Sequence, residues 1–304
     1  VPNEHWKMYD FVKCLECQTL NIDIHTESGV NESLSKCKQC GKDFTVGSKK
    51  TFLIPDFGFI AESKIEKPTL VKPERTFRTE ASFVNYNTDI PESQFDINGT
   101  KVYLATVDNG PMAILTTDDF FVCEACGYAL DPTMKTGVFT KETLVEHKSP
   151  AGKTCVNKRL HKFSLGYRFE TDVVRLRIEK ALYFEQAYSV LQSIILSACK
   201  QLNIDNNEIA GCLQYYKEGF YNFILYDTTP GGAGHVKRLN NQDILTQVLR
   251  LAYDRTATCG CGGDNGDSSC YSCLRTYQNQ RYHDMLKRSH VVEYLKDIVL
   301  EKSR

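Results

Sequence analysis

Apolar and polar positions alternate with a period of two over several short runs in the first half of the chain and shift to a helical period in the second. Thr51-Phe52-Leu53-Ile54-Pro55 reads as a strand stopped by proline, and Lys64 to Pro73 as a polar linker. Phe95-Asp96-Ile97 and Thr100-Lys101-Val102-Tyr103-Leu104 flank Asn98-Gly99, a dipeptide suited to a two-residue hairpin turn. Asp108-Asn109-Gly110 predicts another turn before a strand at Met112–Leu115, and Phe120-Phe121-Val122 reads as a further strand. Asp172 to Ile178 alternates again. Glu179–Leu202 then predicts a long amphipathic helix with Phe184, Ala187, Leu191, Ile194, Ile195, Ala198 and Leu202 on one face. Cys212 opens a strand-like run, and Phe220–Tyr226 predicts a buried strand. The helices Asp243–Ala252 and Val291–Leu300 complete the pattern.

Cysteine changes this picture. Thirteen cysteines include four C-x2-C pairs, a spacing that suits tetrahedral zinc rather than disulfides. Cys14, Cys17, Cys37 and Cys40 form a zinc-ribbon pattern, with Gly41 placed for the positive φ that follows a knuckle. Cys123 and Cys126 begin a second set that Cys155 and a histidine complete. His147 is the first candidate for that position, and His161 stands as the alternative. Cys259, Cys261, Cys270 and Cys273 form a third set inside a stretch so rich in Gly and Asp that it cannot bury a core of its own. Three full sets leave no open coordination position, so the expected role of all three Zn2+ ions is structural. Cys199 and Cys212 remain, and both are read as core thiols.

A strand ending at Asp227 runs into Thr228-Thr229-Pro230-Gly231-Gly232-Ala233-Gly234-His235, with a helix start expected at His235 or Val236. Such a loop can pack closely beneath a metal knot. It can also cradle an anion, or set Asp227 and His235 together as an acid–base pair. It is not a Walker A loop, because no Lys-Ser/Thr follows the glycines. Lys153, Lys158, Arg159 and Lys162 form the most basic local run, readable as a solvated face or as an edge that meets phosphates. Arg275 and Arg281 sit in a second polar run that can reach phosphates or tie the third cysteine set to its surroundings.

The stretch Y-D-T-T-P-G-G-A-G-H, followed by C-x-C and then S-C-Y-S-C-L-R-T-Y-Q-N-Q-R-Y-H, resembles the C-terminal zinc-binding (MZB) domain of the mitomycin-repair helicases. That domain recurs in related bacterial helicases and in the helicase-associated subunit of DISARM antiphage systems. The resemblance covers about residues 170 to 300. It is looser over 50 to 165, where Pro73-Glu74-Arg75-Thr76-Phe77-Arg78-Thr79 carries it. It implies that Arg275, Asn279, Gln280 and His283 form a network around the third cysteine set.

These readings predict an α+β chain in three parts. Residues 1–50 form a zinc ribbon, 51–165 a small antiparallel β region with a zinc site of three cysteines and one histidine, and 166–304 an α/β layer closed by a four-cysteine zinc knot. With no helicase motor motif in the sequence, the resemblance implies a non-motor accessory module of a superfamily 2 DNA helicase system, in DNA repair or antiphage defence. Its partners would be the motor and DNA. The alternatives are a nucleic-acid hydrolase built on Asp227 and His235, and a protein-interaction module. A net charge of −1 over 304 residues limits any nucleic-acid contact to a local patch. The polar start Val1-Pro2-Asn3 without Met suggests a fragment. The lack of a signal segment or a long apolar run points to a cytoplasmic protein away from membranes.

Overall fold

The computed structural model describes residues 6–25, 32–45, 47–56, 79–86, 90–130, 142–149 and 151–300. The expected linker at 64–73 and all but the last residue of the motif Pro73–Thr79 lie outside them. The strands are β1 (Trp6–Lys13), β2 (Leu20–Ile24), β3 (Lys50–Pro55), β4 (Thr79–Phe83), β5 (Ser93–Ile97), β6 (Thr100–Thr116), β7 (Phe120–Val122), β8 (Ala129–Leu130), β9 (Glu142–Leu144), β10 (Arg159–Ile178), β11 (Ile209–Lys217) and β12 (Phe220–Asp227). The helices are α1 (Phe184–Leu202), α2 (Gln242–Ala257) and α3 (Arg288–Val299). No helix among the described residues is long and apolar enough to cross a membrane.

The chain divides into two compact units. The first comprises residues 1–16, 20–81 and 113–168; the second comprises 17–19, 82–112 and 169–304. The second cysteine set lies wholly in the first unit and the third wholly in the second.

In the first unit β1 pairs antiparallel with β2 and β3, and β3 runs parallel to the start of β10. Alternation along β1 sends Trp6, Asp10 and Val12 into the interior. Asp10 is fully buried, and His25 (2.7 Å), Thr51 (2.9 Å) and Lys49 (3.2 Å) all bond its carboxylate. Burial pushes its pKa up, but these bonds outweigh it and hold Asp10 below the ordinary value.

In the second unit β11, β12 and the end of β10 form an antiparallel ladder, with α1 packed on one face and α2 and α3 against α1. Asn98 (φ 52°) and Gly99 (φ 82°) make the two-residue turn between β5 and β6.

Three sequence expectations change. The turn at Asp108–Gly110 is absent, because β6 continues through it. Asn109 takes φ 50° within the strand, and a Cβ on Gly110 would stand 2.6 Å from the Val173 side chain. Glycine is there for that close approach rather than for a turn. The first helix begins at Phe184, not Glu179, because β10 extends to Ile178 and Glu179 still bonds Lys101 O. Nor is α1 one-sided, since every residue from Ala187 to Cys199 is buried. Its polar face consists of small or amide side chains that other elements cover. Ser193 donates to Ala252 O (3.1 Å), and Gln192 accepts from Asn279 (3.0 Å). Cys199 and Cys212 lie buried in this core.

Candidate metal centres

The first centre is built at a strand end. The Cys14–Cys17 knuckle follows β1. The Cys37–Cys40 knuckle closes with Gly41 N–H on Cys37 O (2.9 Å), Gly41 having φ 74°. Cys14 Sγ and Cys40 Sγ are 3.7 Å apart. Asn21, on β2 and fully buried, donates to Cys37 Sγ (3.6 Å) and accepts from Lys38 N (2.7 Å), so one amide fixes both a sulfur and its turn.

The second centre repeats the device. Gly127 (φ 75°) donates to Cys123 O at 2.7 Å and closes the Cys123–Cys126 knuckle. A tight turn at Ser149–Lys153 returns the chain so that Cys155 N bonds His147 O (3.0 Å). Cys123 and Cys155 sulfurs are 3.9 Å apart, and His147 Nε2 is 3.2 Å from Cys126 Sγ. His147 Nδ1 meets Val145 O at 2.9 Å, which assigns the proton to Nδ1 and leaves Nε2 as the donor atom. Tyr128 stacks on the ring, with centroids 4.6 Å apart. His147, not His161, joins this group. His161 lies along β10 opposite Val122.

The third centre lies between α2 and α3. Cys259–Cys261, Cys259–Cys270, Cys261–Cys273 and Cys270–Cys273 sulfurs are 3.5, 3.6, 3.6 and 3.8 Å apart. Zn–S bonds of about 2.3 Å give tetrahedral edges of about 3.8 Å, so the donor set fits the ion. In each of the three groups all ligand atoms lie within 4.8 Å of one another. Burial raises the Cys261 and Cys273 thiols and, at the second centre, takes Cys126 up to about 12. At Cys270 the backbone N–H groups of Ser272 and Cys273 and the neighbouring thiols outweigh burial and bring it down to about 6.

Around this knot Asn279 is a buried hub. Its amide donates to Gln192 Oε1 and Leu274 O, and it accepts from Thr276 N (2.8 Å) and His283 Nε2 (2.9 Å). Arg275 bonds Ser269 Oγ (3.1 Å) and His283 O (3.4 Å). Two arginines that sequence reading did not single out also reach the knot. Arg288, at the start of α3, bonds Cys261 O (2.6 Å) and Gly263 O, and Arg255, near the end of α2, bonds Ser272 O (2.9 Å). Neither carries a local motif, because each arrives on a helix packed from elsewhere.

The glycine loop corrects the anion-cradle reading. Its N–H groups already bond acceptors of the chain, carbonyls at Gly231 and Gly232 and carboxylates beyond them. Ala233 N and His235 N bond Asp227 Oδ2 (2.8 and 3.0 Å), Val236 N bonds Asp227 Oδ1 (3.0 Å), and Gly234 N bonds Asp172 Oδ2 (3.1 Å). A one-turn 3-10 helix, Val236–Leu239, begins at the expected helix start, and α2 follows it, capped by Asn241. Asp227 has no exposed surface, so the acid–base pair with His235 lacks an accessible carboxylate.

Lys153, Lys158, Arg159 and Lys162 are exposed. Lys158 pairs with Glu146 (2.5 Å) and Lys162 with Asp119 (3.0 Å). The Arg281 guanidinium lies 4.3 Å from the Tyr282 ring centroid.

The family comparison falls on the third centre. Residues 190–274 match the MZB family, the MrfA Zn-binding domain. All four cysteines of that centre lie within the matched span, so the resemblance read from the sequence holds there, and the family is a zinc-binding one. No curated protein matches the chain. Two solved structures align with it, "Crystal Structure of DUF1998 helicase MrfA bound to DNA" and "Crystal Structure of DUF1998 helicase MrfA bound to DNA and AMPPNP". The first is 13% identical with a TM-score of 0.40, covering 73% of this chain and 25% of that one. The second is 13% identical with a TM-score of 0.31, covering 74% and 23%. The chain thus spans about a quarter of the length of the structures it aligns with.

Proposed function

We propose that this chain is a non-motor, zinc-stabilised accessory module of a superfamily 2 DNA helicase system, acting in DNA repair or antiphage defence. The observation that carries this reading is the third centre, a closed group of four cysteines inside the segment that matches the MZB family. Cys14, Cys17, Cys37 and Cys40 would hold one Zn2+. Cys123, Cys126, His147 and Cys155 would hold a second, and Cys259, Cys261, Cys270 and Cys273 a third. Bound zinc would supply cross-links in place of buried apolar surface, and four protein ligands leave no position for an activated water. The buried, fully bonded Asp227 speaks against the hydrolase alternative.

DNA contact would run through Lys153, Lys158, Arg159, Lys162 and Arg281, with Arg275 largely committed to the knot. Because Lys158 and Lys162 already pair with Glu146 and Asp119, phosphates would displace existing ion pairs, and binding should be weak. A protein-contact reading has its own support, since Leu15 in the first knuckle is 89% exposed and Val156 beside Cys155 is 97% exposed. Titrating duplex and single-stranded DNA at several salt concentrations separates the two. The DNA reading expects affinity that falls with salt and a shallower slope for a Lys158, Arg159 and Lys162 triple-glutamine variant. Indistinguishable curves for parent and variant would leave the protein-contact reading.

A further inference from the structure

Four thiolates on one divalent ion leave the third centre with net negative charge, and such a cluster needs nearby cations or donors. Of the arginines reaching it, Arg288 grips backbone carbonyls and Arg275 a serine hydroxyl and a carbonyl. Arg255 differs. Its Nε–H on Ser272 O (2.9 Å) holds the guanidinium against the Cys270–Cys273 knuckle, between two ligands. It also lines a cleft of about 460 Å3 together with Lys200, Asp254, Thr258, Ser272 and Cys259. Cys259 forms part of the wall of that cleft, whereas Cys273 is buried.

We propose that Arg255 is a positioning residue for the third zinc centre, its charge offsetting the thiolates on the cleft side and slowing loss of the ion through Cys259. The proposal rests on the reading that this centre holds zinc. Two cations and one carboxylate line the cleft, so Arg255 and Lys200 outweigh Asp254 there. Arg255 is the one held by a hydrogen bond to the knuckle. Its role is electrostatic first and structural second, so lysine should largely replace it and glutamine should not.

The test uses the full zinc-loaded chain. Zinc content is measured first, and then the release of zinc to a colorimetric chelator is followed for the parent, Arg255→Lys and Arg255→Gln. The phase belonging to the third centre is the one missing in Cys273→Ser. Arg255→Gln should speed that phase by about tenfold or more, the scale of a lost outer-shell partner, while Arg255→Lys stays near the parent. Raising salt from about 0.05 M to about 1 M should accelerate the parent phase more than that of Arg255→Gln, because the variant lacks one of the charges that salt screens at the cleft while Lys200 and Asp254 remain. Equal acceleration by Lys and Gln would reduce Arg255 to its hydrogen bond on Ser272 and overturn the proposal. So would a Gln variant that releases zinc like the parent. Should Arg255→Gln not fold, a salt-insensitive parent phase overturns it equally. A parent with no zinc in this phase instead overturns the underlying assignment of the centre.

Discussion

Asp227→Ala should be among the most damaging single changes in the C-terminal unit, although it removes no apolar surface. The carboxylate has no exposed area and accepts three backbone N–H bonds, two on Oδ2 from Ala233 and His235 and one on Oδ1 from Val236. Truncation leaves these donors without their acceptor, at about 1–3 kcal/mol for each buried group. They are not equally buried. Val236 is fully enclosed, His235 is partly covered, and Ala233 is exposed, so water can replace the bond at Ala233 most easily. The sum is then about 3–5 kcal/mol, less than three full penalties. Asp227→Asn offers a graded comparison. Its amide oxygen can occupy the Oδ2 position and keep two donors, but its NH2 then faces Val236 N–H, for a loss of about 1–3 kcal/mol. Urea unfolding at neutral pH, with hydrogen exchange at Ala233, His235 and Val236, reads both the size and the location of the effect. The alanine variant should lose protection at Val236 before the rest of the unit. If Asp227→Ala unfolds at the parent's urea concentration with Val236 still protected, the carboxylate is not what organises the loop.

Gly232→Ala should destabilise the same loop by about 1–3 kcal/mol, because the added Cβ would lie 2.4 Å from the Asp172 carboxylate at φ 81°; a melting temperature equal to the parent's contradicts this. Cys270→Ser should lower the melting temperature and the zinc content of the C-terminal unit more than Cys199→Ser, since the first removes a ligand of a loop without a core and the second alters a core thiol; equal effects would argue against zinc as the cross-link. The Asp10 carboxyl sits below its ordinary value of 3.8, so the stability it contributes is complete above that value and is lost as pH falls through the depressed folded pKa. Acid unfolding of the parent should therefore be steeper in this range than that of Asp10→Asn, and identical acid profiles would remove Asp10 from the account.

The zinc chemistry was legible in the sequence because a knuckle is local. Two cysteines three residues apart and a following glycine fix the turn at Cys37–Gly41 and at Cys123–Gly127 without help from the rest of the chain. Ligand number was legible too, since the cysteines outside the core divide into three sets of four once one histidine is added. Short apolar runs marked the strands at 51–55 and 220–226, and the Asn98-Gly99 turn with its flanks marked the hairpin at 95–104, again for local reasons. What a sequence window cannot contain was decided by tertiary structure. The choice of His147 over His161 came from a turn that brings Cys155 back beside it. The burial of α1 on nearly all sides came from elements that cover its serines and glutamine. The glycine loop has free N–H groups on paper, and Asp172 on β10 joins Asp227 in filling them only when the strands pair. Arg255 and Arg288 at the third centre belong to helices whose own sequences give no sign of a metal. A local rule assigns a residue its conformation and its donor atoms, and only packing determines which distant group those atoms meet.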